Sequence, residues 1–420
     1  MDGCVAVLLC LITGYFYGSL FFTPIDVPFM ATMTWAILSI VLMTRKVLPC
    51  WGATCASGLL IGLAMATRTG GIIALTYLAI ALSFCAVEFA TLNGRVTLRY
   101  LAQLGGHSGA IVVLAVLVAI SLWPWLQIGS PFQQYQIALL HFANLPTSFD
   151  FMHWGERVWS NDLPRTYVPA QLFARLPLGF LFLLAVSLAC GVFALTRSAQ
   201  DALRRWRGDQ PVSLRTAILK LARGRAAVVV CAAVAMPLVF LILQRATLYD
   251  GTRHTLFVIP LLAVLAGAGF KVLIPWLARV PFVTATAIAA YIAHTVHTLA
   301  LLHPFEYVDM NAAAGGTKHA YGRFDLDYWS VAAKEASRRL EQRLAYDAEL
   351  ASAEMPPSIA ICIPWREWAV APMLERPWII QVDPKKADYI IETERWRCAE
   401  KLDVVLIDEV RRMDRIFAWT

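Results

Sequence analysis

The chain has 420 residues, of which 59% are hydrophobic and only 15% are charged, and its formal net charge is +7 at pH 7. With a mean hydropathy of +0.60, this composition excludes an ordinary soluble domain, in which about a quarter of the residues are charged. Residues 1–302 contain 9 acidic and 20 basic side chains, whereas residues 303–420 contain 20 acidic and 16 basic ones. The basic excess therefore belongs to the apolar part, where it marks cytoplasmic loops, and it predicts no nucleic-acid partner.

Nine apolar segments are long enough, or nearly long enough, to cross a bilayer, which takes about 20 residues of helix. They cover residues 4–22, 28–44, 51–67, 70–90, 108–127, 176–195, 226–243, 255–277 and 280–302. We therefore expect an α-helical polytopic membrane protein with about nine spans, which occupy residues 1–302.

The most basic loop indicates how these spans are oriented. Residues 196–225 contain eight Lys or Arg residues against two Asp residues, and short basic loops stay in the cytoplasm. Counting the spans outward from this loop puts the Arg45–Lys46 connection on the same side. The opposite, extracytoplasmic side receives the loop 128–175, the turn 244–254 and everything after residue 302.

Two further regions follow the spans. Residues 303–352 contain a polar motif and then an amphipathic helix over 330–352, and residues 353–420 predict a small extracytoplasmic α/β domain. Its strand candidates, separated by helical segments, are SIAIC (358–362), WIIQV (378–382), DYIIE (388–392) and DVVLI (403–407). Cys362 and Cys398 are able to pair if this domain is extracytoplasmic. The other seven cysteines lie in or beside apolar runs, which is typical of small buried hydrophobic residues.

Polar side chains at the extracytoplasmic ends of spans are candidate site residues, because such positions are costly for them. Asp26 lies between two prolines at the start of a span, where it either positions a substrate group or caps the helix. Arg68, in the turn ATRTGG, either binds phosphate or extends to the surface from a helix end. The loop 128–175 is too long for a plain connection. Its His141 and its aromatic residues suit contact with a sugar or headgroup, or anchoring at the interface.

Two short motifs add further candidates on the same side. The turn YDGTRH (249–254) combines a cationic pair that suits a lipid phosphate with an Asp-Gly sequence that suits a plain polar turn. The motif HPFEYV (303–308) follows the last span directly. The candidate residues are Tyr249, Asp250, Arg253 and His254 in the first motif and His303, Glu306 and Tyr307 in the second.

Taken in order, these motifs resemble those of a known family. FFTPIDVPFM, GLLIGLAMATRTGGIIAL, LPRTYVP, YDGTRHTLFVIP, HPFEYVDMN and GRFDLDYW are similar to segments of bacterial membrane glycosyltransferases of the GT-C superfamily, relatives of the dolichyl-phosphate-mannose protein mannosyltransferases. The resemblance covers about residues 10–335. It implies a multi-pass enzyme of the bacterial plasma (inner) membrane. Such an enzyme takes a sugar from a polyprenyl-phosphate donor and passes it to a lipid, glycan or protein hydroxyl on the extracytoplasmic face.

The resemblance also implies roles for the candidate residues. A carboxylate acts as base on the acceptor hydroxyl, and cationic groups stabilise the phosphate leaving group. The carboxylate candidates are Asp26, Asp250 and Glu306. The substrate-binding candidates are Arg68, Arg253 and His254 for the phosphate, Tyr249 and Tyr307 for the sugar, and His141 and His303.

One feature departs from the family pattern. In the superfamily the principal catalytic acid usually lies in a large outer loop after the first span, whereas no acidic outer loop precedes Asp26 here. This departure predicts an N-terminally truncated form that lacks the family's N-terminal spans and catalytic loop and is inactive if that loop is required.

Two other classes of function stay open, a transporter or lipid flippase and a non-catalytic membrane scaffold. Transporters usually contain repeated halves and broken helices, and the sequence predicts neither. The sequence has no nucleotide-binding Gly-rich loop, which fits a lipid-linked donor, and no Cys/His spacing typical of zinc. No cofactor or metal site is predicted, and a divalent metal is left open.

Overall fold

The computed structural model describes residues 2–143, 148–206, 214–345, 356–363, 374 and 378–420. Most of the described chain is helical, and the strands form one hairpin and one larger sheet. The helices are α1 (Asp2–Leu11), α2 (Gly14–Phe22), α3 (Asp26–Met43), α4 (Trp51–Thr67), α5 (Ile73–Asn93), α6 (Leu98–Leu122), α7 (Pro131–Ala143), α8 (Tyr167–Arg175), α9 (Leu178–Trp206), α10 (Leu214–Arg223), α11 (Arg225–Gln244), α12 (Ile259–Leu277), α13 (Pro281–Leu302), α14 (Gly316–Ala320) and α15 (Ala332–Leu344). The strands are β1 (Asp150–His153), β2 (Glu156–Trp159), β3 (Ser358–Ile361), β4 (Ile379–Ile380), β5 (Tyr389–Thr393), β6 (Glu409–Arg412) and β7 (Arg415–Trp419).

The described helices confirm a multi-span membrane protein. Seven of them are long and apolar enough to cross a bilayer, and α1 with α2 raises the number to eight if this pair is one span. The predicted segment 51–67 is α4, which at 17 residues is apolar but shorter than the other spans. Each of the nine predicted segments is therefore helical. The pair α1–α2 is bent by 70°, a broken helix that the sequence did not predict.

Glycines allow two pairs of spans to approach closely. A Cβ atom added to Gly269 on α12 would overlap the carbonyl oxygen of Leu183 on α9, and one added to Gly62 on α4 would lie 2.8 Å from the carbonyl oxygen of Ala115 on α6. Small residues of this kind let helix backbones pack together in lipid, where no hydrophobic effect drives the spans together.

The polar connections divide between the two ends of the helix bundle. At one end Arg225, the first residue of α11, pairs with Glu88 on α5 and donates to the carbonyl oxygen of Thr44 after α3. These contacts place the end of the predicted basic loop 196–225 beside the Arg45–Lys46 connection. At the other end lie the start of α3, the turn before α12 and the C-terminal region. We call the second end the cap side.

The C-terminal region, here called the cap, comprises the described residues from α15 to β7. Its five-stranded sheet has the order β4-β3-β5-β7-β6, in which β3 pairs in parallel with β4 and β5, and β7 pairs antiparallel with β5 and β6. Helix α15 packs on this sheet through Ala336 and Leu340, which are buried. A disulfide joins Cys362 to Cys398. The structure thus confirms a small C-terminal α/β cap, although its helix α15 lies in the region 303–352, before the unit predicted over 353–420.

The strand prediction was wrong in its last element. DVVLI (403–407) is not a strand, and Val405 within it is 87% exposed. The sheet instead ends in the hairpin β6–β7, whose turn residues Met413 and Asp414 both have positive φ. A hairpin with a two-residue turn of this type normally has Asn-Gly or Asp-Gly at the turn. Met413-Asp414 is neither, so the sequence did not indicate this turn. WIIQV contributes only Ile379–Ile380, and most of the helical segment expected before it lies outside the described residues.

Candidate functional site

Six side chains of alternating charge form a chain of ion pairs on the cap side, which we call the ionic chain. Asp26 accepts from Arg68 through one carboxylate oxygen and lies 3.2 Å from Arg253 Nε through the other. Arg253 also pairs with Asp250 at 2.9 Å. Asp250 pairs with Arg395 at 2.5 Å, and Arg395 Nε lies 3.2 Å from Asp325. The ionic chain is Arg68, Asp26, Arg253, Asp250, Arg395 and Asp325.

Local structure brings the membrane-side members together. Asp26 is the first residue of α3, where a carboxylate is stabilised by the helix dipole. Arg68 directly follows α4, so its guanidinium reaches the same level. Asp250 and Gly251 have φ values of +60° and +68°, and Asp and Gly are among the residues that tolerate this conformation. The Asp-Gly turn is therefore real, and it also positions Arg253 at the start of the next span.

The position of Arg68 determines which ring nitrogen of the neighbouring His254 carries the proton. Its guanidinium lies 3.2 Å from Nδ1 of His254. Because a guanidinium only donates, Nδ1 is the acceptor and the proton of a neutral imidazole is on Nε2. That Nε2 is buried and has no hydrogen-bond partner among the described residues. Buried polar atoms are normally paired, so this N–H is a donor available to a ligand.

The Arg253 guanidinium lies between two aromatic rings. Its central carbon is 5.1 Å from the centre of the Tyr249 ring and 4.8 Å from that of Trp329, within the range of cation–π attraction. The indole Nε1 of Trp329 is also buried without a hydrogen-bond partner in the described part of the chain. The same small region thus contains two N–H donors, beside two arginines, for which the described residues provide no acceptor.

Burial raises the pKa of two carboxyl groups at the outer end of the ionic chain, Asp325 and its neighbour Glu394. Removal from water raises the pKa of Asp325 to about 6, an effect that Arg395 partly offsets. Burial likewise raises the pKa of the neighbouring Glu394 to about 8, and the charge of Asp325 adds to the shift. Glu394 therefore holds its proton at neutral pH, while Asp325 is mostly ionised.

The structure brings six predicted site residues together and leaves four apart. The six are Asp26, Arg68, Tyr249, Asp250, Arg253 and His254. His303 and Glu306 form a separate pair at 2.7 Å, and the Tyr307 hydroxyl donates to Asp327 while its backbone carbonyl accepts from Arg175. His141 is exposed on α7, where its ring contacts Phe142. Among the described residues, no hydrogen bond or ion pair links these four to the ionic chain.

Sequence reasoning missed Arg395 and Arg175. Arg395 is in the cap, 145 residues from Asp250, and no motif or spacing indicates that they meet. Arg175 is buried, donates to Gln171 and to the carbonyl oxygen of Tyr307, and lies over the Tyr15 ring at 4.6 Å. A Cβ atom at Gly251 would lie 3.1 Å from its guanidinium. The sequence signal available for Arg175 was its position as a lone Arg at the end of an amphipathic helix. The same position is also typical of a solvated arginine, so it did not indicate a buried one.

Replacing Arg395 with Ala should loosen the cap from the helix bundle. Arg395 is only 6% exposed, and its loss would leave Asp250 and Asp325 buried without this cation, at a cost of about 3 kcal/mol. We expect faster hydrogen exchange of backbone amides in residues 321–328. The matched control is Arg411→Ala, since Arg411 pairs with Glu409 in the same cap but is 54% exposed; its loss should cost at most about 0.5 kcal/mol. Equal exchange in both variants would contradict the linking role of Arg395.

A metal does not fit the one candidate ligand group in the described residues. Cys362, Glu392 and Cys398 offer ligand atoms within 4.8 Å of one another. The two sulfur atoms form the disulfide, however, and a metal needs thiolates.

No protein-family model, curated protein or solved structure matches the chain.

Proposed function

We propose that this protein is a membrane glycosyltransferase that moves a sugar from a polyprenyl-phosphate-linked donor to an acceptor hydroxyl. One observation carries the proposal: two arginines converge on one carboxylate at the ends of three spans, beside an imidazole N–H that has no partner among the described residues. This arrangement involves Arg68, Arg253, Asp26 and His254. The ends of spans lie at the level of lipid headgroups, where a lipid-linked phosphate would meet these groups.

The donor phosphate would bind by exchange with a carboxylate. The ionic chain contains three arginines and three aspartates, so it is charge-balanced when all six are ionised. Guanidinium groups bind phosphate as they bind carboxylate, through parallel N–H donors. A phosphate held by Arg68 and Arg253 would therefore displace the Asp26 carboxylate, and the Nε2–H of His254 would be a further donor to its oxygens.

This exchange leaves a carboxylate free to act as a base. The acceptor oxygen attacks the anomeric carbon of the donor sugar and forms the new C–O bond, while the bond from that carbon to the phosphate oxygen breaks. The acceptor proton passes to Asp26 or Asp250. The electron pair leaves with the polyprenyl phosphate, whose charge the two arginines and the imidazole stabilise.

The cap side would face away from the cytoplasm. The basic connections around Arg225 and Arg45 lie at the opposite end, as expected for a cytoplasmic face. The Cys362–Cys398 disulfide is consistent with an oxidising, extracytoplasmic location of the cap. The partners implied are membrane lipid, the polyprenyl-phosphate sugar donor and a hydroxyl acceptor, in the plasma membrane of a bacterium.

The test is sugar transfer by membranes that contain the protein. Radiolabelled polyprenyl-phosphate sugars are supplied as donors, and transfer to an acceptor is measured for wild type and for Arg253→Gln. The variant should lose at least about 100-fold in rate, as when one charge-stabilising donor is removed. Arg245→Gln is the matched control, because Arg245 lies at the start of the same connection but its pair with Asp162 is exposed.

Two results would reject the proposal. Absence of transfer from every donor by the wild-type chain would reject the enzyme, and movement of the intact donor lipid between leaflets would then favour a flippase. Equal loss in Arg253→Gln and Arg245→Gln would show that the ionic chain does not take part in transfer.

A further inference from the structure

A cleft of about 350 Å³ opens beside the ionic chain, between the β1–β2 hairpin, the segment 321–325 and the cap. Its size is within the range of about 300–1,000 Å³ that is typical of ligand pockets. Its charged lining residues are Asp150, Arg157, Glu394, Arg397 and Glu400, together with Arg395 and Asp325, which also belong to the ionic chain.

The charges of this cleft are balanced. Three carboxylates (Asp150, Asp325 and Glu400) face three guanidinium groups (Arg157, Arg395 and Arg397). Glu394 accepts from the backbone N–H of Leu326 at 3.1 Å and holds a proton at neutral pH because burial raises its pKa to about 8. The cleft therefore offers many donors and acceptors but little net charge. A lipid tail would take the exposed ion pairs Asp150–Arg157 and Arg397–Glu400 out of water without hydrogen-bonding to them, and a strongly charged ligand would find no excess of the opposite charge.

Aromatic rings complete the lining. Tyr321 and Trp396 border the cleft, and both are partly buried. The Trp396 ring is held by the Arg395 guanidinium 4.9 Å above it. Rings beside mixed donors and acceptors suit a pyranose, which has an apolar face and hydroxyl edges.

Arg395 connects this cleft with the proposed catalytic site. The same guanidinium that borders the cleft pairs with Asp250 at 2.5 Å, so a ligand in the cleft lies one side chain away from a candidate base. We infer that the cleft binds a neutral glycan and that this glycan is the acceptor of the proposed transfer. The inference rests on the proposed function and names the acceptor class as a glycan.

Binding without donor tests the inference separately from transfer. The probes are cellobiose, mannobiose and N,N′-diacetylchitobiose, with inorganic phosphate as a charged comparison. The full chain is kept in lipid nanodiscs, because sugar-based detergents would compete, and binding is followed by saturation-transfer NMR. We expect at least one disaccharide to bind. Inorganic phosphate has no carbon-bound protons to observe, so it is added as a competitor and should leave the disaccharide signal unchanged.

Variants assign the binding to the cleft. Glu400→Trp fills its rim and should weaken disaccharide binding at least tenfold, whereas Lys401→Trp adds the same bulk at the next residue, outside the lining, and should leave binding unchanged. Asp150→Asn removes a rim charge with little change in volume and should also weaken binding. Thermal unfolding of each variant identifies any that fail to fold. If Glu400→Trp or Asp150→Asn fails to fold, binding by the other of these two variants decides the test.

The outcomes separate the two proposals. Disaccharide binding that Glu400→Trp and Asp150→Asn weaken supports the inference. No binding by any disaccharide, or binding that neither variant weakens, overturns it even if sugar transfer is observed. Binding in the cleft by a protein that transfers no sugar would overturn the acceptor role and the proposed function together, and would leave a glycan-binding cleft.

Discussion

Replacing Asp26 with Asn should lower the free energy of unfolding by about 3–5 kcal/mol, the usual cost of removing one partner from a buried ion pair. The Asp26 side chain is only 2% exposed and accepts from Arg68 and Arg253 through different oxygens. Asparagine keeps the volume but replaces one oxygen with an amide that donates, so one guanidinium would face another donor. Unfolding in mixed detergent titrated with SDS measures the loss.

The control for this variant is Asp162→Asn. Asp162 also pairs with an arginine, Arg245, but their side chains are 81% and 55% exposed, so its loss should change stability by at most about 0.5 kcal/mol. A double variant with Arg68→Gln measures coupling, and we expect it to be less destabilised than the sum of the single variants. If Asp26→Asn lowers the free energy of unfolding by less than about 1 kcal/mol, the result would contradict the role of this carboxylate as the shared partner of Arg68 and Arg253.

The membrane part of the fold was predictable because lipid restricts the chain to few solutions. A backbone in hydrocarbon must satisfy its own hydrogen bonds, so long apolar runs are helices, and alternation with basic loops orients them. The 70° bend between α1 and α2 was not predictable in this way. Both halves are apolar, and apolarity does not indicate where a helix turns.

The candidate site was predictable only as far as it lies at span ends. Asp26, Arg68 and Arg253 are each within a residue of the end of a helix or candidate span, so topology alone brings them to one level. The contact of Arg395 with Asp250 depends instead on how the cap docks. Docking depends on packing between elements that are far apart in sequence, and local sequence motifs do not indicate it.

The stability of the docked cap should fall as the pH rises from about 4.5 to about 8. Burial raises the pKa of Glu394 from 4.5 in the unfolded chain to about 8, so over this window the folded protein holds a proton that the unfolded chain has lost. Unfolding then releases a proton, and stability decreases by up to about 1.4 kcal/mol per pH unit. Asp325, with its pKa raised from 3.8 to about 6, acts in the same direction between those values.

The variant Glu394→Gln isolates this effect. Glutamine still accepts from the backbone N–H of Leu326 but does not titrate. The stability of the variant should therefore be nearly constant between about pH 6 and about pH 8, and at about pH 8 it should exceed that of wild type. Tryptophan-monitored thermal unfolding across this range gives the slope. Asp388→Asn is the control: hydrogen bonds from Ser358 lower the pKa of Asp388, so both states are ionised above about pH 6 and the wild-type slope should persist. A slope that Glu394→Gln leaves unchanged would mean that another group holds the proton, and the balance of charge in the cleft would then have to be assigned differently.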